Sequence, residues 1–127
     1  MAKTAADVTV DELDAFRRRW RERARHTDPG RQARLAHAQG VARRAAAVLR
    51  EQFGATRVVL FGSCLREEWL TAWSDVDVAA WGIRPDETFH AMGAVRSLDP
   101  IMEVNLIDVA VCSPALLTAI ETEGQEI

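Results

Sequence analysis

Eleven residues separate Gly62-Ser63 from Asp75-Val76-Asp77, and these residues could perform phosphate chemistry. Glycine has no Cβ, so a phosphate can approach its backbone closely. Ser63 adds a hydroxyl donor, and free N–H groups at the start of a following helix favour an anion. Alternate residues of a strand share a face, so Asp75 and Asp77 should point the same way, with Val76 and Val78 turned into a core. Two carboxylates on one face repel unless a cation lies between them. Hard oxygen ligands suit Mg²⁺. A metal pair beside a phosphate-binding turn assembles nucleotidyl transfer: a hydroxyl attacks the α-phosphorus of a nucleotide and pyrophosphate leaves.

The elements that must position this set follow from periodicity. Asp11 is expected to cap a first helix with Leu13, Phe16, Trp20 and Ala24 on one stripe, closed by Thr27-Asp28-Pro29-Gly30, behind a frayed stretch 1–10. A second helix over 31–53 carries Leu35, Ala38, Val41, Ala42, Ala45, Val48, Leu49 and Phe53 and stops at Gly54. These two form an expected N-terminal helical hairpin (1–53) packing on a core domain (54–127). From Thr56 the period shortens. Strands are expected over Thr56–Phe61, Asp75–Trp81 and Met102–Val109, with a short helix over Ser63–Ala72. A further helix starts near Asp86 and runs through Val95, with Phe89, Met92 and Val95 inward. Ser113-Pro114 opens a last helix that Gly124 stops. The order gives an α/β (α+β) domain with a small mixed sheet and flanking helices.

On these residues the chain resembles a known family. Phe61-Gly62-Ser63 followed by Ser74-Asp75-Val76-Asp77 looks like the signature of the minimal nucleotidyltransferases, members of the DNA polymerase β-like superfamily. Val104-Asn105-Leu106-Ile107-Asp108 resembles the family's third strand, and Glu123-Gly124 its ending, so the likeness covers about 54–127. It implies the polymerase β-like nucleotidyltransferase fold, ATP or another nucleoside triphosphate as substrate, and Mg²⁺ held by Asp75 and Asp77. It also implies transfer to a protein or small-molecule hydroxyl, and a possible role as antitoxin to a HEPN-type toxin protein.

Two positions depart from the family pattern. Arg66 is followed by Glu67 where the family has glycine, which alters the path of the loop. The third carboxylate falls on Asn105, which offers a carbonyl oxygen to a cation but is no base. Glu103, two residues away on the same face, is the alternative third ligand; Asp108 lies on the opposite face. The second functional reading is therefore a catalytically degenerate fold that binds a protein partner.

The remaining candidates carry bland alternatives. Arg66 is either a phosphate contact or a surface arginine. Trp69 and Trp73 either stack on a base or pack a helix. Ser63 is no nucleophile of the elbow type, since no Gly-x-Ser-x-Gly frames it. Cys64 is either redox-sensitive or a buried thiol, and Cys112 forms no CxxC with it. His26, His37 and His90 are scattered, so no zinc ligand set exists in the sequence.

Charge is divided along the chain: residues 1–57 carry 13 basic and 7 acidic side chains, residues 58–127 carry 3 and 12. The acidic half holds the metal candidates, and the basic half could face an anionic partner or the acidic half itself. Net charge of −3 and no aromatic–basic interleaving disfavour nucleic acid. No apolar run reaches the length of a membrane span, and the N-terminus lacks a signal-peptide core, so the expected location is cytoplasmic. Self-association is left open.

Overall fold

The computed structural model describes residues 5–24 and 30–127. The first helix, α1, spans Val10–Ala24 and the second, α2, Arg31–Phe53. Strand β1 (Arg57–Phe61) leads through two single-turn 3₁₀ segments, Gly62–Leu65 and Glu67–Trp69, to β2 (Val76–Trp81). Helix α3 (Thr88–Arg96), β3 (Val104–Asp108), α4 (Pro114–Glu123) and the two-residue β4 (Gln125–Glu126) complete the chain. The sheet order is β3-β2-β1-β4. β1 runs antiparallel to β2 and to β4, and β2 runs parallel to β3.

Alternation along the strands builds two cores. Val58, Leu60, Val76, Val78, Val104 and Leu106 face α2 and α3, where Ala38, Val41, Ala45, Leu49, Ala91 and Val95 cover them. Val59, Phe61 and Ala79 face the other way, onto Leu13 of α1 and Leu116, Ala119 and Ile120 of α4. The mixed sheet is thus flanked by helices on both faces. The two N-terminal helices divide between those faces, α2 on one and α1 on the other.

Local signals explain the boundaries. Gly54 ends α2 in the left-handed region at φ 71°. Ser113 caps α4 by accepting the Leu116 N–H at 3.2 Å, with Pro114 in the first turn. Gly124 lies at an ordinary φ, yet an added Cβ would overlap Val59 Cγ1 and the Ile120 carbonyl oxygen. Glycine there lets the chain turn from α4 straight into β4.

Several expectations are corrected. The cap of α1 is Thr9, not Asp11: Thr9 Oγ1 accepts the Glu12 N–H and donates to the Glu12 carboxylate. Ala5–Asp7 forms a turn, and the Ala5 carbonyl accepts from the Ser113 N–H, so this part of 1–10 is tied down. The helix expected over Ser63–Ala72 is absent. Arg66 and Leu70 adopt extended backbone, which splits the segment into two turns while Cys64 and Leu70 are buried. Phe89 points to solvent, 87% exposed. Two successive spacings of three rotate it about 120° away from Val95, whereas Ala91 and Val95 lie one turn apart. The expected break at Thr27-Asp28-Pro29 and the packing of Trp20 and Ala24 lie outside the residues and side chains described.

Candidate functional site

Strand register brings the site together. Phe61 pairs with Asp77 across β1–β2, and Asp77 with Asn105 across β2–β3, so the three stand in one row on the α4 face. The chain leaves that row at Gly62 and returns to it at Asp75, one residue before β2. The Val76 N–H donates to the Glu103 carbonyl at 2.9 Å and fixes the entry to the strand. Asp75 is anchored from behind, where the buried Cys64 thiol donates to its backbone carbonyl at 3.2 Å. Burial, with the nearby Asp77 charge, pushes that thiol up to about 12, so it stays protonated and able to donate.

Asp75, Asp77, Asn105 and Ser63 line one depression of about 220 Å³. Asn105 Nδ2 donates to Asp77 Oδ1 at 3.2 Å and to Asp75 Oδ2 at 3.4 Å. The amide therefore bridges the two acids with its NH₂ group, where a cation would otherwise lie. Asp77 is half-buried. Loss of water pushes its carboxyl up to about 7; the Asn105 amide opposes the rise and the Asp75 charge adds to it. Gly62 makes room for this carboxylate: its φ is +87°, and a Cβ there would sit 2.6 Å from Asp77 Oδ2.

The donor set suits a hard cation. Two carboxylates and an amide oxygen, once Asn105 turns over, are ligands of the Mg²⁺ kind. Among the described residues, no group of three or more His, Cys, Asp or Glu side chains gathers to hold a metal. The set is two acids plus Asn105, one carboxylate short of a triad.

The other candidates lie elsewhere. The Glu103 carboxylate is paired with Arg96 Nε at 2.8 Å, away from the two acids. Arg66 is exposed and stacks on Trp69, 5.0 Å from the ring centroid, and does not line the depression. Asp108 is buried on the opposite face and accepts from Thr88 Oγ1 at 2.8 Å. With the helix after Gly62 reduced to a single 3₁₀ turn, phosphate binding there would rest on local N–H groups and the Ser63 hydroxyl, not on a helix dipole. Thr71, which the sequence motifs do not include, and Ser74, which they include without a role, also line the depression. Their side chains brace the approach to Asp75: the Thr71 N–H donates to Ser74 Oγ at 2.8 Å. A Thr-x-x-Ser spacing ahead of the acids was the available signal.

A small mixed sheet flanked by helices, with paired acids beside a glycine–serine turn, defines the class of nucleotidyltransferase folds. The family model for the nucleotidyltransferase domain matches residues 42–115, more than half of the chain, and the chain belongs to that family. A search of curated proteins found no match.

Proposed function

We propose that this protein is a Mg²⁺-dependent nucleotidyltransferase that moves the adenylyl group of ATP to a hydroxyl of a protein, such as a tyrosine, or of a small molecule. The observation that carries this reading is the depression shared by Ser63, Asp75, Asp77 and Asn105. Asp75 and Asp77 would hold the cation, with Asn105 offering Oδ1. Bound there, Mg²⁺ supplies neutralisation of the triphosphate and polarisation of the α-phosphorus. Ser63 and the backbone of its turn orient the phosphate oxygens. Asn105 cannot accept the proton of the attacking hydroxyl. Asp75 and Asp77 are the carboxylates lining the depression, so that proton goes to one of them or to water.

A second reading is favoured by one specific contact. The Asn105 amide already closes the acid pair without a cation. On that reading the chain is a degenerate fold that neutralises a partner by contact. In both readings the resemblance to minimal nucleotidyltransferases makes a HEPN-type toxin protein the proposed partner. The test is label transfer from α-phosphate-labelled ATP with Mg²⁺ to a co-expressed neighbouring protein. Label that vanishes in Asp77→Ala supports the enzyme. A tight complex without label supports the binding module. Neither label nor complex removes the protein partner from both readings, and no Mg²⁺-dependent release of pyrophosphate from ATP in any acceptor mixture then removes the enzyme.

A further inference from the structure

The acidic depression continues into a second, larger groove. This groove, of about 440 Å³, runs between α2 at Arg34 and His37 and the stretch before β3 at Ile101 and Met102. Trp73, Ser74 and Asp75 line both spaces. The Trp73 indole is 84% exposed, and Ile101 in the same groove is 79% exposed. Yet the loop bearing Trp73 is braced. The Trp73 N–H donates to Thr71 Oγ1 at 3.3 Å, and the Ser74 N–H to the Thr71 carbonyl at 3.2 Å. Packing gives no reason for a large aromatic ring held out to solvent on a fixed turn.

Beyond the Trp73, Ser74 and Asp75 that they share, the two spaces differ in chemistry: one adds Asp77, Asn105 and the Ser63 hydroxyl, the other an aliphatic wall and the basic Arg34 and His37. A single ligand spanning both needs a polyanionic, cation-carrying end and a flat aromatic end. Resting on the nucleotidyltransferase reading, we infer that this groove takes the nucleoside end of the triphosphate, with the base stacked on Trp73. Stacking on an indole tolerates any base but gains more from the larger purine ring.

The experiment is titration calorimetry with Mg²⁺ and two probes, α,β-methylene-ATP and tripolyphosphate, on the wild type, Trp73→Ala and Trp73→Phe. Trp73→Ala should weaken the nucleotide analogue roughly 5- to 100-fold and leave tripolyphosphate within about twofold, while Trp73→Phe retains most of the affinity. Nucleotide binding unchanged in Trp73→Ala overturns the inference and leaves the nucleotidyltransferase reading standing. Equal loss with both probes also overturns it, since Trp73 then supports the acid pair and not a base. A wild type that binds neither probe removes the parent reading and this one with it. Should Trp73→Ala fail to fold, Trp73→Leu, which keeps apolar bulk but no aromatic face, carries the same expectation.

Discussion

Asn105 donates to two carboxylates, and on the proposed function its effect would reverse when a cation arrives. In the metal-free protein the amide offsets the repulsion between Asp75 and Asp77. Asn105→Asp removes that donor and adds a third negative charge. It should lower the metal-free stability by about 1–3 kcal/mol and tighten Mg²⁺ binding. Thermal melts with EDTA and with Mg²⁺ check this: the variant should melt below the wild type in the first and close the gap in the second. Asp77 gives a prediction with a pH sign. Its carboxyl is raised from 3.8 to about 7, so the folded metal-free protein holds that proton more tightly than the unfolded chain does. The contribution of this group to stability is therefore greatest below about pH 4, falls as pH rises to about 7, and is level beyond. Asp77→Asn should raise the melting temperature of the metal-free protein at pH 8, by an increment worth at most roughly 4 kcal/mol. Near pH 4 the gain should vanish, and at every pH the variant should lose Mg²⁺-dependent stabilisation. A melt series from pH 4 to 8 that shows no such trend removes the burial account of Asp77.

At the scale of elements, Asp99 fastens α2 to the connection between α3 and β3. Its carboxylate accepts the Met102 N–H at 2.9 Å and the Ile101 N–H at 3.0 Å, and it meets His37 Nε2 and Arg44 at 3.0 Å each. The Met102 N–H first, then His37 and the Ile101 N–H, hold this carboxyl well below the usual carboxylate range. A depressed carboxyl adds stability that is fully present above its ordinary value near 4 and is lost as pH falls through the lower folded value. Asp99→Asn should therefore melt below the wild type at pH 7, and the gap should narrow only in strong acid. Because His37 lines the groove, the variant also tests whether that wall depends on the anchor. Asp99 shows no role in the sequence, since its side-chain partners His37 and Arg44 stand 62 and 55 residues away. The elements themselves were more legible. β1, β2 and β3 are short apolar or alternating runs, and α2 carries a long stripe that ends in glycine. The acid pair and Asn105 were legible for the same reason, because period two places them on one face. The Ser63–Ala72 stretch is not the expected helix: its apolar residues suit a helix locally, but burial of Cys64 and Leu70 pulls it into turns. β4 gave no periodic signal in two residues and exists through pairing with Val59 and Leu60.

Across the whole molecule the charge division becomes a set of internal ties. Arg17 pairs with Glu123, Arg44 with Asp99, and Arg57 with Glu121 and Glu126 while stacking on Trp81. The basic first half thus meets the acidic second half at several points. Exposed pairs such as those of Arg57 contribute little each, about 0–1 kcal/mol, so they orient the halves more than they bind them, whereas the buried Asp99 carboxylate is a true anchor. Burial binds them. Ala38, Val41, Ala42, Ala45, Ala46 and Leu49 of α2 are buried in the same core as Val58, Leu60, Val76 and Val78. The family match, beginning at residue 42, likewise starts inside α2. A chain of residues 54–127 alone would keep the α3 cover but strip α2 from those four strand residues, exposing them at the limit to water, and would lose Val41 and Leu49. At 1.5–3 kcal/mol per large aliphatic side chain the loss is roughly 9–18 kcal/mol, as large as the 5–15 kcal/mol by which whole domains are stable. Such a fragment should be unfolded or aggregated, with no cooperative melt and no Mg²⁺–nucleotide heat. Adding residues 30–53 back as a separate peptide should restore both in proportion to the peptide bound. Circular dichroism and calorimetry on the fragment with and without that peptide check this. A fragment that melts cooperatively alone would mean that the sheet face under α2 finds other cover, and that the acid pair needs only residues 54–127 to form.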